Sequence, residues 1–328
     1  MYETARDMIK AERLCGHEVE MVDVGIDGKR QIGAVDDRAG CRIEARDYSA
    51  VAGFDLYVIN CNVPEKFWNE STTPAVQIMH GRPASSFRLQ QQKKQPVYDI
   101  HARRAADPRL RRFISLWPEH LPFWRAIIPN GKLVSTSAPP VDRDLYAPQG
   151  DMAPISVDGR FNILIADLWR DDSDPYFLLN GLIELARQRQ DFVLHLYACS
   201  SPLGPWAHLI NALRRAHVLG TLYGMTKDIA KVYRAVDVTL TGNRIATRIM
   251  RESLACGTPI IAPNGATQSV AAFAADDPVA IAAAVSSVID WWPELKDGCR
   301  IKARDASAAF DLGVIGKELD AFYREALQ

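Results

Sequence analysis

The sequence predicts an α/β protein of two domains, each a parallel sheet with helices on both faces. Three observations carry that prediction. Short apolar runs alternate with segments of helical periodicity along most of the chain, the order expected of strand-helix-strand units. At 328 residues the chain is long for one core and suits two domains of about 150 residues each. Ala235 to Asn264 then places a strand, a turn, a helix and a second strand within 30 residues.

Taken in order, Tyr2 to Cys15 reads as a helix, with Tyr2, Ala5, Met8 and Ile9 as its apolar stripe and Gly16 as its stop. His17 to Val24 reads as a strand. Nucleotide-binding domains of two layers usually open with a strand ahead of their first helix, and this sequence does not. The expectation is a true start upstream of Met1; the alternative is a sheet built without its central strand. Gly25 to Arg46, rich in Gly, Asp and Arg, reads as a loop or small hairpin. Phe54 to Asn60 and Ala75 to Met79 read as buried strands on either side of a short helix at Pro64 to Asn69. The second strand runs into His80-Gly81-Arg82-Pro83, and a histidine and glycine at the carboxyl end of a parallel strand lie where such sheets bind ligands. The plainer reading of His80 is a ring satisfied by a loop carbonyl.

Between Arg82 and Arg112 nine lysines and arginines, Arg82, Arg103 and Arg104 among them, face only Asp99 and Asp107, a net of +7. A basic loop region of this kind suits an anionic partner such as DNA, a phosphorylated lipid or an acidic glycan; the plainer reading is solvated surface. Phe113 to Trp117 reads as a strand, Pro118 to Ile127 as a short helix with proline in its first turn, and Lys132 to Thr136 as the last strand of this half. Gln149 to Arg160 is a linker by composition. The expected domains are therefore 1–148 and 149–310, with 311–328 a C-terminal helix that packs back toward the first domain.

The second half opens with a strand at Phe161 to Ala166, a polar loop at Asp167 to Asp174 and a helix at Pro175 to Gln188. Phe192 to Tyr197, Trp206 to Ala216, Gly220 to Tyr223 and Thr226 to Arg234 continue the alternation. Val236, Val238 and Leu240 then form a strand, Thr241-Gly242-Asn243 a turn, and Thr247 to Cys256 a helix with Ile249, Met250, Ser253 and Leu254 on one side. Gly257 ends that helix, and Pro259 to Ala262 is the next parallel strand. The helix N-terminus faces the carboxyl end of a sheet, where backbone N–H groups and the helix dipole can seat a diphosphate. After this last strand, Asp277 to Trp292 and Ile301 to Phe310 read as helices. Leu312 to Leu327 reads as an amphipathic helix with Leu312, Ile315, Leu319, Phe322 and Ala326 inward.

Glu252-Ser-Leu-Ala-Cys-Gly-Thr-Pro-Ile-Ile-Ala262 resembles the second half of the E-x7-E signature of retaining GT-B glycosyltransferases of family 4. Pro139-Pro-Val-Asp142-Arg-Asp-Leu-Tyr146-Ala-Pro148 resembles the same family's segment ahead of its interdomain linker. The resemblance implies two Rossmann-like domains facing across a cleft, the first binding an acceptor and the second a nucleotide-sugar. It implies sugar transfer with retention and without a metal or other cofactor. It assigns Glu252 to the ribose of the donor and His80 to the donor sugar across the cleft, with Gly81 beside it. The family's first glutamate falls at Arg244, in a stretch Arg244-Ile-Ala-Thr247 where the family has E-G-F-G. The arginine and lysine with which the family holds the diphosphate fall at Asp167 and Asp172, so Arg170 and Arg248, beside Thr247 at the helix start, are the cations left for that role. Arg244, Arg248 and Glu252 also fall four apart, the spacing of an ion-paired helix face.

Composition narrows the rest. A net charge of -1 gives the whole molecule no electrostatic case for nucleic acid or membrane. The six cysteines show no C-x-x-C pair, which argues against a zinc site or disulfide framework and for reduced thiols in a cytoplasm. Neither a signal peptide nor a transmembrane stretch is readable; the most apolar run, Pro278 to Trp292, is too short and broken. The functional expectation is a glycosyltransferase. The alternative is a non-catalytic nucleotide-sugar-binding protein, motivated by Arg244, Asp167 and Asp172. A two-domain nucleotide-sugar epimerase stands third, lacking the carboxylates and histidine it needs.

Overall fold

The structure, a computed structural model, describes residues 2–23, 41–43, 53–60, 63–80, 97–128, 133–155, 159–166, 175–198, 206–224, 228–244, 246–266 and 268–328. The chain divides into two compact units, Met1–Pro140 with Leu312–Gln328, and Val141–Asp311.

Unit 1 begins with helix α1 (Tyr2–Leu14), then strands β1 (Met21–Asp23), β2 (Cys41–Ile43) and β3 (Tyr57–Asn60), helix α2 (Glu65–Glu70) and strand β4 (Ala75–Met79). Helix α3 (Val97–Ala106), strand β5 (Leu110–Ser115), a 3-10 turn (Pro118–His120) leading into helix α4 (Leu121–Ile127) and strand β6 (Leu133–Thr136) follow. Four strands form one parallel sheet in the order β3-β4-β5-β6. β4, flanked by a strand on each side, is buried along its whole length, which is why it reads as an apolar run broken only by Gln77. Its core joins Ile59, Trp68, Met79, Phe113, Trp124 and Ile128. Among the described residues α1 is the first element, and β1 and β2 form a parallel pair apart from the other four strands. Cys41–Ile43, within the segment expected to be a loop or small hairpin, is strand, paired parallel with β1; the rest of that segment, residues 25–40 and 44–46 with the Asp27-Gly28 turn, lies outside the described residues.

The basic run is also corrected, because residues 97–106 are helix and 110–115 are strand rather than loop. Arg104 is 3% exposed and donates to the Val63 carbonyl at 2.7 Å and to Glu65 at 3.2 Å. Arg112 is buried in β5, donating to Ser135 Oγ at 2.6 Å and pairing with Glu325. Arg109 lies over the Trp68 ring at 4.7 Å and pairs with Asp107 at 2.5 Å, holding that carboxyl down to about 2. A guanidinium has five donors in a fixed fork, so it tolerates burial once carbonyls and carboxylates saturate it. Arg103 and Arg111 keep exposed side chains.

Unit 2 contains β7 (Phe161–Ile165), α5 (Pro175–Gln188), β8 (Phe192–Leu196), α6 (Ala207–Arg215), β9 (Leu219–Leu222) and α7 (Ile229–Ala235). It continues with β10 (Val238–Leu240), α8 (Arg248–Ala255), β11 (Ile260–Pro263), β12 (Ser269–Phe273) and α9 (Pro278–Ala306). All six strands are parallel, in the order β12-β11-β10-β7-β8-β9. The four inner strands are wholly buried, whereas the edge strands β9 and β12 are half-exposed. That half-exposure leaves β12 without the apolar run that marks its neighbours, and it was not anticipated. α9 is one helix of 29 residues where two were expected, with Pro293 inside it. Proline removes one helical hydrogen bond, and side chains on both sides of it anchor the helix instead. Trp292 Nε1 and Lys296 Nζ reach Asp237 at 3.1 and 3.2 Å, and Arg300 donates to the Val236 carbonyl at 2.9 Å. At the other end Asp277 caps the helix, accepting from the amides of Val279 and Ala280.

The last helix, α10 (Leu312–Leu327), belongs to unit 1 and packs on α1. Ile315, Leu319 and Ala326 are buried as the periodicity predicts, while Tyr323 is buried and Leu312 and Phe322 are only half-buried. The two helices approach closely at Gly316, where a Cβ would overlap the Ala11 carbonyl oxygen. No helix of the described residues is long and apolar enough to cross a membrane.

Candidate nucleotide-binding site

In unit 2 the chain runs outward from β7 through β8 to β9, then returns to place β10 on the other side of β7. The carboxyl ends of β7 and β10 therefore border the point where strand order reverses, the position at which open parallel sheets bind ligands. The loop after β10 leads directly into α8, so the start of that helix, where the first N–H groups lack carbonyl partners in a preceding turn, lies at this switch point. Thr247 is the N-cap residue, and its Oγ1 is buried with no hydrogen-bond partner among the described residues.

The sequence holds α8 in place through several contacts. Ser253 Oγ lies 2.8 Å from Thr239 Oγ1 and donates to the Thr258 carbonyl at 2.9 Å, tying the helix to β10 and to the approach to β11. Met250 and Leu254 pack on Ile260, Ala262 and Ala303. Arg251 is 1% exposed, donates to the Ala246 carbonyl at 2.6 Å and lies over Phe310, fixing the loop that precedes the helix.

Glu252 is 3% exposed. Arg248 Nε donates to its Oε1 at 2.5 Å, and the Tyr233 hydroxyl donates to Oε2 at 3.4 Å. Arg248 Nη2 also donates to the Tyr146 hydroxyl at 3.2 Å. Burial pushes the Glu252 carboxyl up, opposed first by the Arg248 charge, and burial also raises both tyrosines. Of the three residues spaced four apart, Arg248 and Glu252 form the ion pair. Arg244 precedes the helix and is exposed in its loop. A cleft of about 500 Å³ opens in the same unit, between Asp151 to Pro154, Tyr223 and Gly224 after β9, and Asp228, Lys231 and Val232 of the α7 segment.

In unit 1, His80 follows the last residue of β4. Its Nε2 lies 2.6 Å from Asn60 Oδ1, at the end of neighbouring β3, and its carbonyl accepts from Trp117 Nε1 at 2.9 Å, beyond the end of β5. Of the other residues singled out in the sequence, Gly81, Arg82, Asp167, Arg170 and Asp172 lie outside the described residues. The structure thus joins Thr247, Arg248 and Glu252 at one helix start. Tyr146, Tyr233, Arg251 and Asn60 were not foreseen. Tyr146 sat within a segment already singled out, and Asn60 is the polar last residue of a predicted strand. Tyr233 and Arg251 carried no local signal.

No family model matches the sequence, and no curated protein matches it significantly. Solved structures are similar over nearly the whole chain. Anabaena HepE in complex with UDP and glucose aligns with a TM-score of 0.74 at 13% identity, covering 98% of this chain and 95% of that one. Sucrose-phosphate synthase from Thermosynechococcus elongatus gives 0.71 at 16% identity, covering 98% and 92%. A glycosyltransferase from Rickettsia africae gives 0.64 at 13%, covering 98% and 94%. The chain has the fold of these proteins, the GT-B fold of glycosyltransferases that the sequence resemblance anticipated.

Proposed function

We propose that the protein is a glycosyltransferase that takes a nucleoside-diphosphate sugar at the carboxyl edge of the unit 2 sheet, in the manner of family 4, with retention and without a metal. The observation that carries this reading is the start of α8 at the switch point with Arg248 in its first turn. When the bond between the sugar C1 and the diphosphate oxygen breaks, the electron pair leaves with the diphosphate. Fixed N–H dipoles and a guanidinium beside that group stabilise the charge as it develops. Thr247 and Arg248 take the diphosphate, with Arg244, in the loop ahead of α8, as a further cation, and Arg170 assigned to the same role from its place in the sequence alone. Glu252 accepts from the ribose hydroxyls, and the cleft beside Tyr223 and Gly224 has the volume of a small-molecule site. His80, with Gly81, serves the donor sugar. For the acceptor, an anionic group falls to Arg82, Arg103 and Arg111, since Arg104 and Arg112 are spent on structure. The setting is a cytoplasm.

Arg244 in place of an acid, together with a Glu252 carboxylate held by Arg248, favours a second reading, a nucleotide-sugar-binding protein that does not transfer. Mass spectrometry of nucleoside diphosphate released from a panel of UDP-, GDP- and ADP-sugars separates the two. Release of one diphosphate supports the transferase. Binding of a nucleotide-sugar without release supports the second reading, and neither binding nor release sinks both.

A further inference from the structure

The edge strand β9 of unit 2 is paired out of step with its neighbour. Leu194 of β8 pairs with Leu219, but Leu196 pairs with Leu222, so three steps along β9 are set against two along β8. One extra residue therefore stands in β9 opposite His195, a β-bulge, which is rare between parallel strands. On either side of it the ladder is regular. The Leu194 amide donates to the Val218 carbonyl at 2.8 Å, and the Tyr223 amide donates to the Leu196 carbonyl at 2.7 Å. Between them the Thr221 amide meets a side chain instead of a carbonyl, donating to His195 Nδ1 at 3.1 Å.

The bulge is held from both neighbouring strands. His195 lies in the middle of β8 and is 0% exposed, and its Nε2 is 3.1 Å from Asn162 Oδ1 of β7. Asn162 gives its Nδ2 to the Arg160 carbonyl at 3.0 Å, which leaves its oxygen for the ring. An amide N–H only donates and a carbonyl oxygen only accepts, so both partners of the ring demand the same tautomer, with the lone pair on Nδ1 and the proton on Nε2. Burial, helped by the Arg160 charge, pushes the ring down to about 4, so it stays neutral and keeps that lone pair. Gly220 completes the fit. A Cβ there would stand 2.7 Å from the His195 ring and closer still to Val193, so only glycine lets the bulged strand approach.

We propose that His195 is a positioning residue for the cleft beside Tyr223 and Gly224, fixing through its hydrogen bond to Thr221 the bulge that sets which face the end of β9 presents there. Side chains alternate along a strand, so one extra residue moves every later side chain to the opposite face. Tyr223 and Gly224 follow the bulge directly and line the cleft, and the Tyr223 ring lies 6.4 Å from the His195 ring, centroid to centroid. An edge strand without that tie is free to take the regular register, in which Tyr223 turns the other way. The ligand of the cleft rests on the proposed function, whereas the bulge and its histidine rest on the geometry of unit 2 alone.

The test uses the full ¹⁵N-labelled chain as wild type, His195→Leu, His195→Gln and Gly220→Ala. Two-bond ¹H–¹⁵N spectra of wild type are expected to show a neutral Nε2–H tautomer for His195, assigned by loss of its signals in His195→Gln. Scalar coupling across the hydrogen bond should join Nδ1 to the Thr221 amide nitrogen. Calorimetry with UDP, GDP and ADP then reads the cleft. His195→Leu and Gly220→Ala break the tie from its two ends, and each should bind the preferred nucleotide about tenfold more weakly, the size of one lost contact. His195→Gln, whose side chain can still accept from Thr221, should recover part of that loss. Gly316→Ala, which strains unit 1 instead, is the stability control and should keep wild-type affinity. An Nδ1–H tautomer or absent coupling in wild type overturns the inference, as does wild-type affinity in a folded His195→Leu or Gly220→Ala. If neither variant folds, nucleotide added to wild type decides: shifted Thr221 and His195 signals support the inference, and unmoved signals overturn it. If wild type binds no nucleotide, the spectra still decide the bulge and its histidine, and the failure belongs to the proposed function.

Discussion

Each unit buries a glutamate against a tyrosine, and the two clusters behave differently. In unit 1, Glu12 of α1 is 4% exposed and accepts from the Tyr323 hydroxyl of α10 at 2.6 Å. Burial pushes it up to about 7, with only the hydrogen bond and the Arg13 charge opposing. In unit 2, Glu252 is as deeply buried but is met by the Arg248 guanidinium as well as by tyrosine. The first is a tie between two helices far apart in sequence. The second stands in the second turn of the helix that begins at the switch point. Burial of a carboxyl is thus no functional signal by itself; its cation partner and its place relative to the sheet's carboxyl edge distinguish the two.

The comparison makes its largest prediction at Glu12. The folded carboxyl holds its proton to about 7, against 4.5 for an ordinary glutamate, so its contribution is fully present below pH 4.5 and is lost as pH rises through 7. The difference in unfolding free energy between Glu12→Gln and wild type should swing toward the variant by about 3 kcal/mol over that window. A difference that stays constant with pH would contradict it. At Gly316, where a Cβ meets the Ala11 carbonyl, Gly316→Ala should part α1 from α10 and cost roughly 1–3 kcal/mol of stability. Hydrogen exchange on α1 would reveal it, and unchanged protection would place the close approach elsewhere. Glu252→Gln should behave unlike Glu12→Gln, weakening nucleotide binding by about 1–2 kcal/mol, the range for a hydrogen bond to a charged group. Equal affinity of both proteins for UDP, GDP and ADP would remove Glu252 from the site. Tyr323→Phe, which removes one hydrogen bond and no volume, should cost only about 1 kcal/mol.

What could be read from the sequence followed the reach of the interactions involved. β4, β7, β8, β10 and β11 are buried on both faces, so their apolar runs announce them. α5 and α10 begin and end within a residue of their sequence reading, because a single buried stripe sets their period. β12 escaped because one edge of it is open, and the join in α9 escaped because Pro293 breaks the local rule while Asp237, more than fifty residues earlier, holds both sides. The basic run misled for the same reason. Arg104 and Arg112 find their acceptors at Val63, Glu65, Ser135 and Glu325, none of them close in sequence. Of the site, the helix start and Arg248 were legible from spacing. Tyr146 and Tyr233 needed the fold to bring them there, as Asn60 needed it to reach His80 in unit 1.

The central claim is that the start of α8 holds the diphosphate of a nucleotide-sugar, and Arg248 tests it most directly. Arg248→Gln keeps a hydrogen-bond donor for Glu252 while removing the charge at the helix start. Titration calorimetry with UDP, GDP and ADP, beside a thermal melt to confirm the fold, should show the preferred nucleotide bound about tenfold more weakly by the variant, about 1.4 kcal/mol. The loss should shrink for the corresponding nucleoside, which has no phosphate to lose. Equal loss for nucleotide and nucleoside, or wild-type affinity for the nucleotide, would contradict the claim and return Arg248 to the role of a helix ion pair.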